Sequence, residues 1–187
     1  MTLLELKKKV LGLIEELNPN NELLTDDPDI SAKINEVINQ VMFELARMKK
    51  IPQYVELEVS DGDRIEFADI EKKCGYEIYQ LGLIGGIDYE LKGNGTIIKA
   101  LSSGTAEIDC FVYPERITEN TKDKAYEFEL SPDVLELMPY GVAADLLKSD
   151  VSAEYGKIYA ERFETMLSRL DSRYNMGFVT ITGGVDV

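Results

Sequence analysis

The sequence predicts an α+β protein: helices from both chain ends packed as a small bundle, with an inserted antiparallel β meander subdomain. Three observations predict it. Apolar residues recur with the helical period near the N-terminus, from Leu3 to Met48, and again near the C-terminus, from Met138 to Leu170. Between these stretches the period drops to that of a strand, with Val55, Leu57 and Val59 alternating with Glu56 and Glu58. The middle also carries three turn signals, Asp61-Gly62, Asn94-Gly95 and Ser102-Ser103-Gly104. The expected division is a helical domain of 1–52 and 131–173, a β subdomain of 53–130 with roughly five to seven strands, and a C-terminal arm of 174–187.

Taken in order, Thr2 to Leu17 reads as the first helix. Thr2 and Glu5 have capping-box spacing, and Leu3, Leu6, Val10, Leu13, Ile14 and Leu17 form its stripe. Asn18-Pro19-Asn20-Asn21 ends it. The acidic run Thr25-Asp26-Asp27-Pro28-Asp29 lacks the mid-loop Gly and closing Glu of a calcium loop, so it reads as an acidic cap for the next helix. That helix is expected from about Ile30 to Lys50, and Ile51-Pro52 stops it. In the β region, a three-residue loop at Asp61-Gly62-Asp63 would put Val59 opposite Ile65 and Leu57 opposite Phe67, keeping both apolar sets on one face. Tyr76–Leu81 is expected as a short strand, and the following Gly82-Leu83-Ile84-Gly85-Gly86 as a flexible turn. That run has neither phosphate-loop nor dinucleotide spacing.

The meander of 87–92, 96–101 and 105–113 is the best-specified part. Asn94-Gly95 pairs Tyr89 with Ala100, Glu90 with Lys99 and Leu91 with Ile98. A second turn at 102–104 would pair Ala100 with Ala106 and Ile98 with Ile108, leaving Cys110 on the same inward face as a small buried hydrophobe. Pro114–Ala125 reads as a mobile polar loop, and Tyr126–Leu130 as a last short strand. Ser131 and Pro132 open a helix that Pro139 restarts. Met138, Val142 and Leu146 form its apolar face, and Gly141, Ala143 and Ala144 keep it slim. The last helix carries Tyr155, Ile158, Tyr159, Phe163, Met166 and Leu170. Beyond it the arm, with Tyr174, Met176, Phe178, Val179 and Ile181, is apolar and β-prone. It reads either as an edge strand for another subunit or as a frayed terminus. These five residues, with Leu83 and Ile84, are the candidate assembly contacts.

Composition narrows the function. The 187 residues hold 35 acidic and 20 basic side chains, a formal charge of -15. Such a surface repels nucleic-acid phosphates, so sequence-specific nucleic-acid binding is not expected, whereas facing DNA without holding it is compatible. There is no histidine, which removes the commonest general base and metal ligand. The two cysteines, Cys74 and Cys110, form neither a metal pattern nor a disulfide framework. No catalytic set, cofactor site or metal site can be assembled, and an enzyme is not expected. No apolar run approaches the roughly 18 residues that cross a bilayer, and the N-terminal stretch lacks a secretory pattern. The expectation is a soluble protein made in a reducing cytoplasm.

Two segments carry a resemblance. Asp29-Ile30-Ser31-Ala32-Lys33-Ile34-Asn35-Glu36-Val37-Ile38-Asn39-Gln40 leads into a helix ending Met48-Lys49-Lys50-Ile51-Pro52. Later come Leu137-Met138-Pro139-Tyr140-Gly141-Val142-Ala143-Ala144-Asp145-Leu146-Leu147 and Tyr155-Gly156-Lys157-Ile158-Tyr159-Ala160-Glu161-Arg162-Phe163. Over about 27–52 and 131–171 this resembles the head–tail connector (adaptor) proteins of tailed bacteriophages and prophages. The motifs are helix-packing patterns rather than catalytic signatures, and the β insertion is larger than in the smallest helical connectors. The resemblance implies a structural virion protein assembled in the bacterial host cytoplasm. It implies a homo-oligomeric ring of about 12 copies below the portal protein, passing DNA and docking a neck or tail completion protein. The alternatives are another tail-completion or baseplate protein, or a non-viral module in which the meander holds a peptide or small ligand.

Overall fold

The structure, a computed structural model, describes residues 1–18, 24–148 and 153–174, the last helix with side chains through Leu170. The chain runs α1 (Leu3–Leu13), α2 (Pro28–Lys49), β1 (Ile51–Val59), β2 (Arg64–Glu66), α3 (Phe67–Cys74), β3 (Ile78–Gly85), β4 (Tyr89–Lys92), β5 (Ile97–Ala100), β6 (Gly104–Val112), α4 (Pro132–Leu135), α5 (Met138–Leu147) and α6 (Ala153–Tyr174). Helices and two small antiparallel sheets are both present, which agrees with the mixed class read from the periodicity.

The helix starts follow from capping chemistry. The Glu5 amide donates to the Thr2 hydroxyl at 3.2 Å and the Thr2 amide donates to the Glu5 carboxylate at 2.9 Å, a reciprocal capping box. The same backbone bond from Thr2 holds the Glu5 carboxyl below its usual range. α1 stops at Leu13 rather than at Leu17. The Tyr159 hydroxyl donates to the Leu13 carbonyl, and Glu15 takes a left-handed φ of 62° that breaks the ladder. α2 starts earlier than Ile30, because Asp27 caps it and accepts from the amides of Asp29 and Ile30 at 2.8 and 3.2 Å. The acidic run is thus a helix cap, as its lack of calcium-loop spacing implies. Pro139 lies in the first turn of α5, where its missing N–H costs nothing.

Residues of α1, α2, α4, α5 and α6, among them Leu6, Ile38, Val134, Met138 and Phe163, share one apolar cluster. Gly141 shows why α5 must be slim: a Cβ there would lie 2.9 Å from the Phe163 ring and 3.0 Å from Val41 Cγ1. The stripe of α6 differs from the expected one. Phe163, Leu167 and Leu170 are buried, but Tyr155 is 64% and Ile158 59% exposed. α6 also comes close to α5 at buried Gly156, where a Cβ would lie 3.2 Å from Leu147 Cβ, while Tyr155 and Ile158 on either side of it stay exposed.

The β region departs from a single meander. Its strands form two sheets, ordered β1-β6-β3 and β2-β5-β4. The expected β1–β2 hairpin does not form. β1 pairs along its whole length with β6, from Ile51↔Val112 to Val59↔Gly104, and β2 pairs with β5. β6 offers nine residues of partner, whereas β2 has three before Phe67 opens α3. The sequence reading left 68–75 without an element; α3 is closed there by Gly75 at φ 82°. The β4–β5 register is the predicted one, with Tyr89↔Ala100, Glu90↔Lys99 and Leu91↔Ile98. The expected β5–β6 hairpin is absent, since β5 and β6 lie in different sheets. Their apolar faces nevertheless meet: Ile98, Ala106, Ile108, Cys110 and Val112 share a core with Val55, Ile65 and Ile70. Alternation along β1, β5 and β6 survives the change of partner, but Tyr89 and Leu91 of the edge strand β4, expected on the inward face, are 37% and 48% exposed. Tyr126–Leu130 contributes only an isolated bridge, Thr2↔Glu127, rather than a strand.

Candidate functional site

Three features stand out: a joint at the edge of the helical core, a segment fastened to that core, and an exposed sheet face. The first is the joint between helices and sheets. β3 slips its register by one residue between Ile78 and Gln80, and the extra residue is Tyr79. Its ring packs 4.9 Å from Tyr113, and the Tyr113 ring lies 4.8 Å from Phe43 of α2. The Tyr79 hydroxyl donates to the Ala46 carbonyl at 3.0 Å, while Arg47 donates to the Tyr113 hydroxyl and its guanidinium lies 5.3 Å from that ring's centre. Burial pushes the Tyr79 hydroxyl above its ordinary pKa. The bulge therefore turns one side chain out of the sheet core and into the helical core.

The second is the segment 114–125, expected to be mobile. It is fastened at several points, three of them partly or fully buried. The Asn39 side chain, 2% exposed, donates to the Ile117 carbonyl at 2.8 Å and accepts from the Ile117 amide at 2.9 Å, imitating a strand partner. Lys7 and Asp123 form a partly buried ion pair at 2.9 Å. The Tyr126 hydroxyl donates to the Glu115 carbonyl, and burial pushes its pKa up. Sequence reasoning missed Asn39 and Lys7. The available signal was a polar residue at a helical position flanked by apolar ones: Asn39 beside Ile38 and Met42, Lys7 beside Leu6 and Val10.

The third is the outward face of the β1-β6-β3 sheet. Strand alternation puts Tyr54, Glu56 and Glu58 of β1 beside Asp109, Glu107 and Thr105 of β6. All four carboxylate residues are exposed. Glu56 accepts from the Tyr54 hydroxyl at 2.9 Å, and Glu58 accepts from the Thr105 hydroxyl at 2.7 Å. Tyr54 is pushed up to about 12, first by that bond to Glu56, then by lost solvation and by the charges of Glu107, Glu56 and Asp109. On the third strand, Gly82 and Gly85 leave the flank of β6 bare; a Cβ at Gly82 would lie 3.0 Å from Asp109 Cβ. The face is thus an exposed acidic strip along β1 and β6.

The expected turn at 82–86 is instead the end of β3. Ile84 pairs with Ile108 and packs partly buried against the β core, so it is a core residue more than a free contact. Leu83 sits at the second register shift, 79% exposed. Tyr174 is the last residue of α6, and Met176, Phe178, Val179 and Ile181 lie outside the described residues. Cys110 is buried in the β core, and burial pushes its thiol up to about 11, which removes it as a nucleophile at neutral pH. Among the described residues no group of three or more His, Cys, Asp or Glu side chains could hold a metal ion, and no helix is long and apolar enough to cross a membrane. No protein-family model matches the chain, and no curated protein matches it.

Proposed function

We propose that the chain is a structural virion protein, a head–tail connector that forms a ring below the portal, passes DNA and docks the neck or tail. One observation carries the reading. The two segments that resemble connectors lie some eighty residues apart in sequence, roughly 52 to 131, yet their helices share a core. α5 reaches α2 and α6 at once through Gly141, between Val41 and Phe163. A bundle built from both chain ends would be the ring-forming body, and the β region would project from it as a docking element. The clamped segment 114–125 and the bulged Tyr79 fit a body that transmits force between rings without bending at the joint. The surface charge of a chain at -15 fits a lumen along which DNA slides. The partners of this reading are further copies of the chain, the portal protein and a neck or tail completion protein, without cofactor or catalysis.

Co-sedimentation of the purified chain with portal-containing, DNA-filled heads tests it. Binding at about one ring per head is the expected result. Deletion of 174–187 is expected to weaken binding or ring closure, assigning Tyr174, Met176, Phe178, Val179 and Ile181 to assembly. Failure of the full chain to bind heads overturns the connector reading in favour of a later tail component or a ligand-binding module.

A further inference from the structure

The chain has two cysteines, Cys74 and Cys110, far apart in sequence, and the fold turns both toward one core. Cys74 stands one helical turn after Ile70 on α3, so the two share a helix face. Ile70 is fully buried in the β core, and Cys74 packs half-buried against the same cluster. Cys110 lies on β6, where it alternates inward with Ile108 and Val112. The corner between α3 and β3 sets the approach. Gly75 closes α3, the Glu71 carboxylate accepts from the Ile78 amide at 2.9 Å, and β3 then runs along β6 with Ile78↔Val112 and Leu81↔Cys110. Weak hydrogen bonds to the Glu71 and Tyr76 carbonyls, at 3.8 and 3.5 Å, hold the Cys74 thiol at that corner. Burial is the first cause of the raised Cys110 thiol, and the charge of the Cys74 sulfur is the second, with Cys74 also its hydrogen-bonding neighbour. The two thiols are therefore neighbours. A core has no need of a second thiol, since alanine or valine packs as well without the reactivity.

We propose that Cys74 and Cys110 are a modification site, a dithiol that closes into an intramolecular disulfide on exposure to a low-molecular-weight disulfide. Cys74, the more accessible, reacts first. Its thiolate attacks one sulfur of the reagent, forming a mixed disulfide and releasing one thiolate. The Cys110 thiol then gives its proton to solvent, and its sulfur attacks Cys74 Sγ, forming the Cys74–Cys110 bond and releasing the second thiolate. Two protein thiols are oxidised, one reagent disulfide is reduced to two thiols, and the two protons given up end on those thiols. Cys110 is inert towards reagents in solution, but a sulfur held beside it is at high effective concentration, so a small thiolate fraction suffices. The bond would join the end of α3 to the middle strand of the β1-β6-β3 sheet, closing the loop that contains β3, β4 and β5. Closing so long a loop restricts the unfolded chain. The inference does not depend on the connector reading. It makes the β body sensitive to its surroundings: two thiols in a reducing compartment, a staple in an oxidising one.

The test is incubation of the full native chain with glutathione disulfide at about pH 8.5, quenching with iodoacetamide, and peptide mapping by mass spectrometry. The expected product is a monomer carrying the Cys74–Cys110 disulfide, reversed by dithiothreitol, with a melting temperature higher by about 5 °C or more. In glutathione redox buffers the pair is expected to be oxidised about tenfold more favourably in the native chain than in urea, because a bond that stabilises the fold is favoured by the fold to the same factor. Cys110→Val is expected to stop at a lasting mixed disulfide on Cys74, and Cys74→Ser to leave Cys110 unmodified in the native chain. A lasting mixed disulfide on Cys74 of the wild type, a Cys74–Cys110 bond formed only in urea, or a pair no more oxidisable in the native chain than in the unfolded one overturns the inference, since packing then keeps the sulfurs apart. Disulfide-linked dimers as the main product of the native chain overturn it as well.

Discussion

The helical body and the β body solve different problems with the same chain. The helical body is specified from inside: residues of α1, α2, α4, α5 and α6 share one apolar cluster, and a Cβ at Gly141 would crowd Phe163 and Val41. The β body has a smaller core, from Val55 to Val112, and its outward faces carry exposed charges, among them the facing pairs Glu56–Glu107 and Arg64–Lys99. Packing fills the first region, while the second leaves charged strand faces open to solvent. The difference teaches where to expect a mutation to unfold the protein and where to expect the fold to tolerate it.

The largest effect is expected at the tightest helix contact. Gly141→Leu would drive a side chain into the space held by Phe163 and Val41, and overpacking of this kind costs about 3 kcal/mol. Gly141→Ala is a sharper version, since its gain in helix propensity of about 1 kcal/mol opposes the crowding. Urea denaturation of both variants measures the balance. A Leu variant as stable as wild type would mean that α5 and α6 can separate, and the contrast between the two regions would fail.

Next comes the clamp that ties the 114–125 segment to α2. Asn39→Ala strands the amide and the carbonyl of Ile117 in a buried place, at a cost of about 2 kcal/mol. Hydrogen exchange at the Ile117 amide should accelerate more than exchange in β4 and β5, which the clamp does not touch. Equal acceleration everywhere would make the two regions a single cooperative unit. A smaller effect, about 1 kcal/mol, is expected of Tyr79→Phe, which keeps the ring stack and deletes only the bond to the Ala46 carbonyl. Since that bond crosses the joint, its loss should lower the coincidence of the unfolding transitions seen by far-ultraviolet and tyrosine signals.

Much of this was legible in the sequence, and the reasons are local. The Thr2–Glu5 box, the proline starts of α4 and α5 and the Tyr89–Ala100 register depend on residues within about a dozen positions of one another, where one rule decides. The missed features depend on distant partners. β1 could not be assigned to β6 from the apolar pattern, because Ile65 and Ile108 offer Val59 and Val55 equally apolar neighbours. α3 was hidden because eight residues with one buried side chain, Ile70, make too short a stripe. The candidate surface was half legible: alternation put Glu56 and Glu58 outward, but only the register shows Glu107 facing Glu56 and Lys99 facing Arg64.

The most delicate probe of the contrast is pH, because the β core contains an ionisable side chain, Cys110. In the folded chain its thiol is held up to about 11 from a reference of 9.0 by burial, with smaller contributions from Cys74 and Asp109. Its folded pKa lies above the unfolded one. The protonated thiol therefore contributes stability that is fully present below about 9, and that is lost as pH rises towards about 11, where the unfolded chain has already released the proton. The urea midpoint of wild type is expected to fall across this window, and Cys110→Val, which fills the same space without a titrating group, is expected to flatten that part of the fall. Tyr54, pushed up to about 12, remains in the variant as an internal reference. Alkylation gives an independent reading at neutral pH: Cys74, half-buried on α3, should react well before Cys110. Fast labelling of Cys110 in a chain whose helices remain folded would show the β body opening on its own, and would turn a difference in packing into a difference in stability.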